Sequence, residues 1–204
     1  MKTLYLYGAS GHGKVITEIA EDLGFTDISF IDADSSKKHI LDYNVIQPLV
    51  VQNINVVVSI GNNTARKKIV SENISFSYQT LIHPKAFISK RCKVDQGTVV
   101  MAGVSINADA KIGKHCIINT NASIDHDCNI NDFAHISPNV ALAGNVNVGE
   151  GSHIGIGASV IQGIRIGKWC TIGAGAVIIK DVPDGATVVG NPGKMIKTKD
   201  VSDL

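Results

Sequence analysis

One histidine in this chain sits between two carboxylates, in Ile124-Asp125-His126-Asp127. An imidazole that donates one ring N–H to a carboxylate keeps its other nitrogen as a stronger proton acceptor, which is what a general base requires. Asp127 is the preferred partner and Asp125 the alternative, because neighbours on a short strand point opposite ways and spacing does not choose between them. His115, His135 and His153 lie in the same half of the chain, between apolar positions, so core packing does not explain them. A second cluster with chemical potential is Gly8-Ala9-Ser10-Gly11-His12-Gly13-Lys14, where backbone N–H groups at the start of a helix favour a phosphate or other anion.

That glycine loop fits neither familiar nucleotide motif. Gly8-x4-Gly13-Lys14 opens like a Walker A loop, but Val15 stands where the magnesium-binding Ser or Thr belongs, and Ser59-Ile60 offers no Asp for magnesium. The order G-x-x-G-x-G is also not the dinucleotide fingerprint. The general physics of the loop remains, with a plain tight turn as its simplest alternative. Asp32, at the end of a second strand, can accept hydrogen bonds from a ribose or base. Ligands of such sheets bind beyond the carboxyl ends of the strands, where Ser10, Gly11, His12, Asp32 and Gly61 converge.

These groups need two kinds of scaffold. Thr3–Tyr7, Asp27–Ile31 and Asn55–Ile60 read as strands, and helical patterns follow the first and third, through Leu23 and through Val70. Strand–helix–strand alternation makes residues 1–78 a small Rossmann-like α/β domain. Residues 79–204 are different. From Ile88 to Ile178 every sixth residue is Ile, Val or Leu, and four residues after each stands a small or β-branched side chain. A fixed period of six signals a parallel β-helix, with three short strands per coil of about eighteen residues. The aliphatic head points inward and stacks on its own kind in the next coil. Cys92, Cys116, Cys128 and Cys170 share one inward position and read as small buried hydrophobes, not as a disulfide framework or a zinc site.

Composition narrows the classes further. The formal charge is +1 over 204 residues, so there is no electrostatic footprint for nucleic acid. No apolar run approaches the roughly eighteen residues of a membrane span, and no basic-then-apolar leader opens the chain. A soluble, cytoplasmic protein is expected.

The Tyr-Gly-Ala-Ser-Gly-His-Gly opening, the Ile60-Gly61-Asn62-Asn63 turn, the hexapeptide array, Asp125-His126-Asp127 and Val189-Gly190-Asn191-Pro192-Gly193 occur together and in order. In this combination, over nearly the whole chain, the sequence resembles the sugar O/N-acyltransferase family. Its members include N-acetyltransferases of UDP-4-amino-sugars in the bacillosamine pathway, perosamine N-acetyltransferases and sialic acid O-acetyltransferases. The resemblance implies a left-handed β-helix, a homotrimer, acetyl-CoA as donor, no metal, and an α/β domain that holds a nucleotide-sugar. It implies His126 as general base, Asp127 as the residue that raises its basicity, and Asn119 near the active centre. By the same token His135, Ile156 and Ala174 would contact acetyl-CoA between neighbouring subunits, though Gly is found at the last place in the compared family member. Ser10, Gly11, His12, Asp32 and Gly61 would touch the nucleotide-sugar. The acidic pair begun by Asp32 is broken by Ala33, with Asp34 one further on.

The expected chemistry is direct acetyl transfer to a sugar amine, likened to the attack step of a hydrolase triad but without an acyl-enzyme. A backbone N–H near Gly144 is the expected oxyanion donor. O-acetylation of a sialic acid or related hydroxyl would use the same base. Two other classes compete. A zinc enzyme of the γ-carbonic anhydrase type would need clustered histidines, yet only His135 and His153 are one coil apart. A structural, non-catalytic β-helix does not account for the α/β domain or for Asp125 to Asp127. The lysines Lys194, Lys197 and Lys199 read as a solvated tail, with CoA phosphates as the alternative.

Overall fold

The computed structural model describes residues 3–48 and 54–201. The chain opens with β1 (Thr3–Tyr7), α1 (Gly11–Asp22), β2 (Asp27–Ile31), β3 (His39–Ile40), β4 (Tyr43–Ile46), β5 (Asn55–Val58), α2 (Asn63–Glu72) and β6 (Ser77–Tyr78). These form one sheet in the order β3-β4-β2-β1-β5-β6, parallel except for the β3–β4 hairpin. The short strands β3, β4 and β6 carry too little apolar pattern to be read from sequence. Val56, Val57 and Val58 are all buried, as a strand covered on both faces requires. Helix α1 begins at Gly11, inside the glycine loop and before the apolar pattern starts. Gly13 lets it press on the sheet, since a Cβ there would stand 2.8 Å from Phe30 Cε1.

From Leu81 to Ile178 the chain winds through two-residue strands, and each strand up to Ser159–Val160 pairs in parallel with the one eighteen residues later, as Val99 with Ile117 and Val100 with Ile118. Three sheets result, and they are the faces of a triangular prism. The first face carries the strands that end in Ile82, Val100, Ile118, Ile136, Ile154 and Ile172; the second starts at Phe87–Ile88 and the third at Lys93–Val94. This is the left-handed β-helix expected from the repeat and the resemblance, and the register begins one strand earlier, at Ile82. The head side chains from Val100 to Ile178 are buried in one continuous core, each contributing about 1.5–3 kcal/mol. Three of the four cysteines are buried there and Cys92 is partly so, and all four are free thiols. Burial pushes the Cys116 thiol up to about 12 and that of Cys92 up to about 11. Thr98 and Ser152, at the same inward position, satisfy their hydroxyls by donating to Gly113 O and Gly167 O.

The chain ends differently from a solvated tail. Lys194–Thr198 is a strand, paired antiparallel with Ala186–Val189, although its side chains face solvent. Backbone pairing alone holds it, a feature that charge composition does not reveal.

The corners of the prism need left-handed backbone. Gly and Asn fill most of these places, but the third corner, between the third and first faces, uses His115 (φ 54), Phe133 (φ 59) and Trp169 (φ 54). Where the α/β domain arrives, the His115 and Phe133 rings are stacked, 5.2 Å apart and nearly parallel. His115 is therefore 2% exposed, so interdomain packing does account for it, contrary to the expectation from its place between apolar residues.

The two domains share a second core. Ile16, Ile19 and Ala20 of α1 pack in one cluster with Leu81, Val99, Met101 and Ile117, the outward side chains of the first face and its edge. Arg66 of α2 completes the joint. It is 1% exposed, and its guanidinium donates to Ile60 O (3.0 Å), His115 O (2.8 Å), Phe133 O (2.8 Å) and Asn63 Oδ1 (2.8 Å). Asn63 in turn donates to Gly151 O at 2.9 Å.

The corner glycines separate two costs. Gly151 (φ 65) lies against the Trp169 ring, whereas Gly157 (φ 66) has open space where a Cβ would go. Gly157→Ala is expected to lose about 1 kcal/mol from backbone strain alone, and Gly151→Ala about 3 kcal/mol or more. Chemical denaturation of the two variants checks the difference; equal losses would mean that the aromatic row does not constrain the corner.

Candidate active site

The second corner, between the second and third faces, holds the carboxylate-flanked histidine. His126 Nδ1 and Asp127 Oδ2 are 2.8 Å apart. Asp125 points elsewhere: its Oδ1 accepts the His126 backbone N–H and the Asn107 side chain, each at 2.8 Å. Asp127 is thus the partner, and the reason is its left-handed backbone (φ 60), which folds the side chain back toward the preceding ring. The hydrogen bond that His126 donates to Asp127 first, and the charge of Asp125 next, raise the His126 pKa above its ordinary value. With Nδ1–H donated to Asp127, Nε2 carries the free lone pair.

Gly144 lies one coil further on the same corner, under this ring. A Cβ at Gly144 would stand 2.6 Å from His126 Cε1 and 2.7 Å from Nε2, so a side chain here would displace the imidazole. Among the described residues its N–H has no backbone acceptor. A backbone N–H without a backbone acceptor at this corner is the kind of donor that suits a developing oxyanion.

The other expected residues lie elsewhere on the chain. Asn119, Ile156 and Ala174 occupy the first corner, and His135 the outer side of the first face. Ile156 is 52% exposed, an apolar side chain open to solvent in the single chain. Asn119 Oδ1 accepts the Thr120 N–H, which turns its amide nitrogen toward His135 Nε2 at 3.2 Å. His135 therefore carries its proton on Nδ1. It stacks on His153 at 4.7 Å and faces His12 at 6.4 Å. Hence Asn119 and His135 form one group with His12 and His153, and none of them reaches His126 within the chain.

The α/β loops meet this histidine group from the other side. β1 and β5 are neighbours from which the chain departs in opposite directions, so the crevice beyond Tyr7 and Val58 is the sheet's switch point. Ser10 and Gly11 are exposed there, and Gly61 has open space beside it. Asp32 is already engaged: Oδ2 accepts from the Ala9 N–H and from Lys37 Nζ, both at 2.8 Å, and Oδ1 accepts from the Asp34 N–H. Partial burial alone would raise its pKa, but these bonds hold the carboxyl below the usual range. Asp32 shapes the glycine loop as well as bordering the crevice.

Arg66 and Asn63 were not legible beforehand. Ala-Arg-Lys-Lys in a short helix reads as a solvated face, and no local pattern marks one of its cations as buried. No group of three or more His, Cys, Asp or Glu side chains among the described residues is placed to hold a metal. No helix among them is long and apolar enough to cross a membrane.

A Rossmann-like domain docked on a left-handed hexapeptide β-helix, with a His–Asp pair at a corner, defines the class of hexapeptide-repeat acyltransferases. Comparisons with known proteins agree. Residues 3–73 match the PglD N-terminal domain, and residues 145–180 match the bacterial transferase hexapeptide (six repeats). The chain superimposes with a TM-score of 0.91 on perosamine N-acetyltransferase from Caulobacter crescentus, solved as a histidine-to-asparagine variant with CoA and GDP-perosamine; identity is 36%, covering 96% of this chain and 97% of that one. The acetyltransferase domain of PglB from Neisseria gonorrhoeae FA1090, in complex with acetyl coenzyme A, gives 0.91 at 40% identity, covering 96% and 99%. UDP-N-acetylbacillosamine N-acetyltransferase from Bacillus subtilis (strain 168) is 38% identical over 118 residues, 50% of this chain and 52% of that protein. The match thus spans about half the length of that curated relative. The chain belongs to the sugar O/N-acyltransferase family of hexapeptide-repeat proteins.

The seam histidines carry a pH dependence. Burial first, and the Arg66 charge next, hold His12 and His115 down at about 4; burial first, and His153 next, hold His135 at about 3. Between the ordinary value of about 6.5 and about 4, the unfolded chain binds protons that the folded chain does not. Stability is therefore full above about pH 6.5 and falls as the pH drops below it. A Tm lower by roughly 5 °C or more at pH 5 than at pH 7.5 is expected, with a shallower fall in His12→Gln. A Tm constant over this range would contradict the neutral, buried seam.

Proposed function

We propose that this protein transfers the acetyl group of acetyl-CoA to the amine of a nucleotide-linked amino sugar, a UDP-4-amino-4,6-dideoxy sugar in particular. The observation that carries the reading is the His126–Asp127 pair, with the backbone of Gly144 packed under the His126 ring. The free Nε2 accepts a proton from the attacking amine, Asp127 stabilises the imidazolium, and the Gly144 N–H meets the oxyanion of the tetrahedral intermediate. Transfer is direct, since the four cysteines are core residues with raised pKa values and none serves as an acyl carrier. The nucleotide occupies the crevice of Ser10, Gly11, His12, Asp32 and Gly61. UDP as the nucleotide is supported by the curated relative from Bacillus subtilis.

The geometry also supports a homotrimer. The α/β domain docks on the first face and third corner, while His126 stands at the second corner, the vertex opposite the first face. A sugar held by the α/β loops cannot meet the dyad of its own chain. It meets that of a neighbour, with acetyl-CoA in the groove between them against His135, Ile156 and Ala174 of one copy. Exposed Ile156 fits such a contact.

His126→Ala is expected to lower kcat by about 10²–10⁴-fold while CoA binding persists. For the wild type, log(kcat) falls as pH drops through the raised His126 pKa, and Asp127→Asn moves that acid limb to lower pH. An acid limb unmoved by Asp127→Asn would remove the proposed pairing. Subunit sharing has its own check: His126→Ala mixed with a crevice variant such as Gly61→Trp, each inactive alone, recovers roughly a quarter of wild-type activity, the random-mixing expectation for a cyclic trimer. No recovery would place crevice and dyad in one chain.

A further inference from the structure

Beside the dyad, on the third face, lies a groove of about 650 Å³ that shares Asp127 with it and is lined by Arg91, Lys93, Asp109, Lys111 and Asn129. We propose that Arg91, Lys93 and Lys111 form the site for the diphosphate of a nucleotide-sugar carried by a neighbouring copy of the chain. The proposal rests on the acetyl-transfer reading above and deepens it by assigning the acceptor's charged centre.

The charge arrangement is unusual for a face with no ligand. Lys111 pairs directly with Lys93 in the parallel ladder, and the rungs above are Asn129 and Asn147. Like charges directly opposite each other destabilise a sheet. Among the described residues, none of the three cations makes an ion pair, and Asp109 bonds to none of them. On this face and at the adjoining third corner, Asp132, Asp181 and Asp184 are held by backbone N–H groups of the neighbouring coil and so do not reach these cations. A diphosphate supplies the missing negative charge. A guanidinium fork and two ammonium groups suit its oxygens.

The position selects the source of that diphosphate. Rungs of a parallel ladder are about 4.8 Å apart, so Lys111 and Lys93 lie roughly one and two rungs from the Asn129 strand that follows Asp127. A sugar amine placed at His126 Nε2 puts the anomeric diphosphate one pyranose ring away, on that scale. The diphosphate of acetyl-CoA lies a whole pantetheine arm from the thioester. The α/β crevice of the same chain is on the opposite side of the prism, so the nucleotide end of the ligand comes from another copy.

The test compares wild type with Lys93→Gln/Lys111→Gln and with Arg91→Ala; all three sites are exposed, and matching Tm values verify the folds. Calorimetric titration with a UDP-4-amino-sugar and, separately, with CoA needs no turnover. Loss of about tenfold or more in nucleotide-sugar affinity, with CoA affinity unchanged, is the expected result, consistent with removing charge-assisted hydrogen bonds. Loss of CoA affinity alone would overturn the assignment in favour of the donor's phosphates. Unchanged affinity for both would show that the cations bind no phosphate. Acetyl-CoA turnover by the wild type is measured in parallel. If it is absent while the nucleotide-sugar titration behaves as expected, the acetyl-transfer reading fails and the diphosphate site stands.

Discussion

A guanidinium buried without a carboxylate holds this molecule together. Burial lowers the pKa of Arg66 to about 10, yet it stays charged at any physiological pH, and five N–H donors must be satisfied away from water. Carbonyl oxygens satisfy them: Ile60 from the crevice loop, and His115 and Phe133 from consecutive coils of the prism. Those last two residues are in the left-handed conformation, which is uncommon for bulky side chains. The strained corner thereby meets the guanidinium with its carbonyls and the α/β domain with its rings. One helix residue thus ties the α/β domain to two coils of the prism.

The consequence is a chain whose functional groups are divided by its own architecture. The first three strands of the first face are covered by the α/β domain, where α1 packs on Leu81, Val99 and Ile117, and His12 faces His135 one coil further on, while His153 and Thr171 stay exposed. The His126–Asp127 pair stands at the opposite vertex, where both side chains are 60% exposed. Exposure of an imidazole to this degree leaves it in water, where its neighbouring carboxylate has little leverage. A second copy laid against the corner would supply the dry surroundings in which the pair and the Gly144 N–H act more strongly.

Much of this was legible in the sequence, and the reasons differ by element. The hexad register is read easily because each coil repeats the same constraint, so Val100, Ile118 and Ile136 are interchangeable witnesses to one core. The His126–Asp127 pair was visible as the preferred reading, but its choice over Asp125 depended on a left-handed φ that an Asp, unlike a Gly, does not advertise. Arg66 left no trace because its partners are backbone atoms, 49 and 67 residues away, and carbonyls have no sequence identity. His115 was misjudged for a related reason: its position is outward with respect to the prism and inward with respect to the joint. The terminal strand Lys194–Thr198 escaped because pairing through backbone alone leaves composition free.

The ladder that stacks these coils also acts as a ruler. The docking joint and the dyad are both fastened to numbered rungs: α1 and the histidine row to the strands from Leu81 to His153, and His126 to the strand Ser123–Ile124. Displacements along the prism therefore come in whole rungs of about 4.8 Å, because an insertion that is not a multiple of six would turn the aliphatic heads out of the core, and one short of a full coil would move every later strand to a different face. The spacing between the docking joint and the His126 corner is thus quantised. A prism of this kind changes that spacing only by counting coils, while the packing inside each coil stays the same.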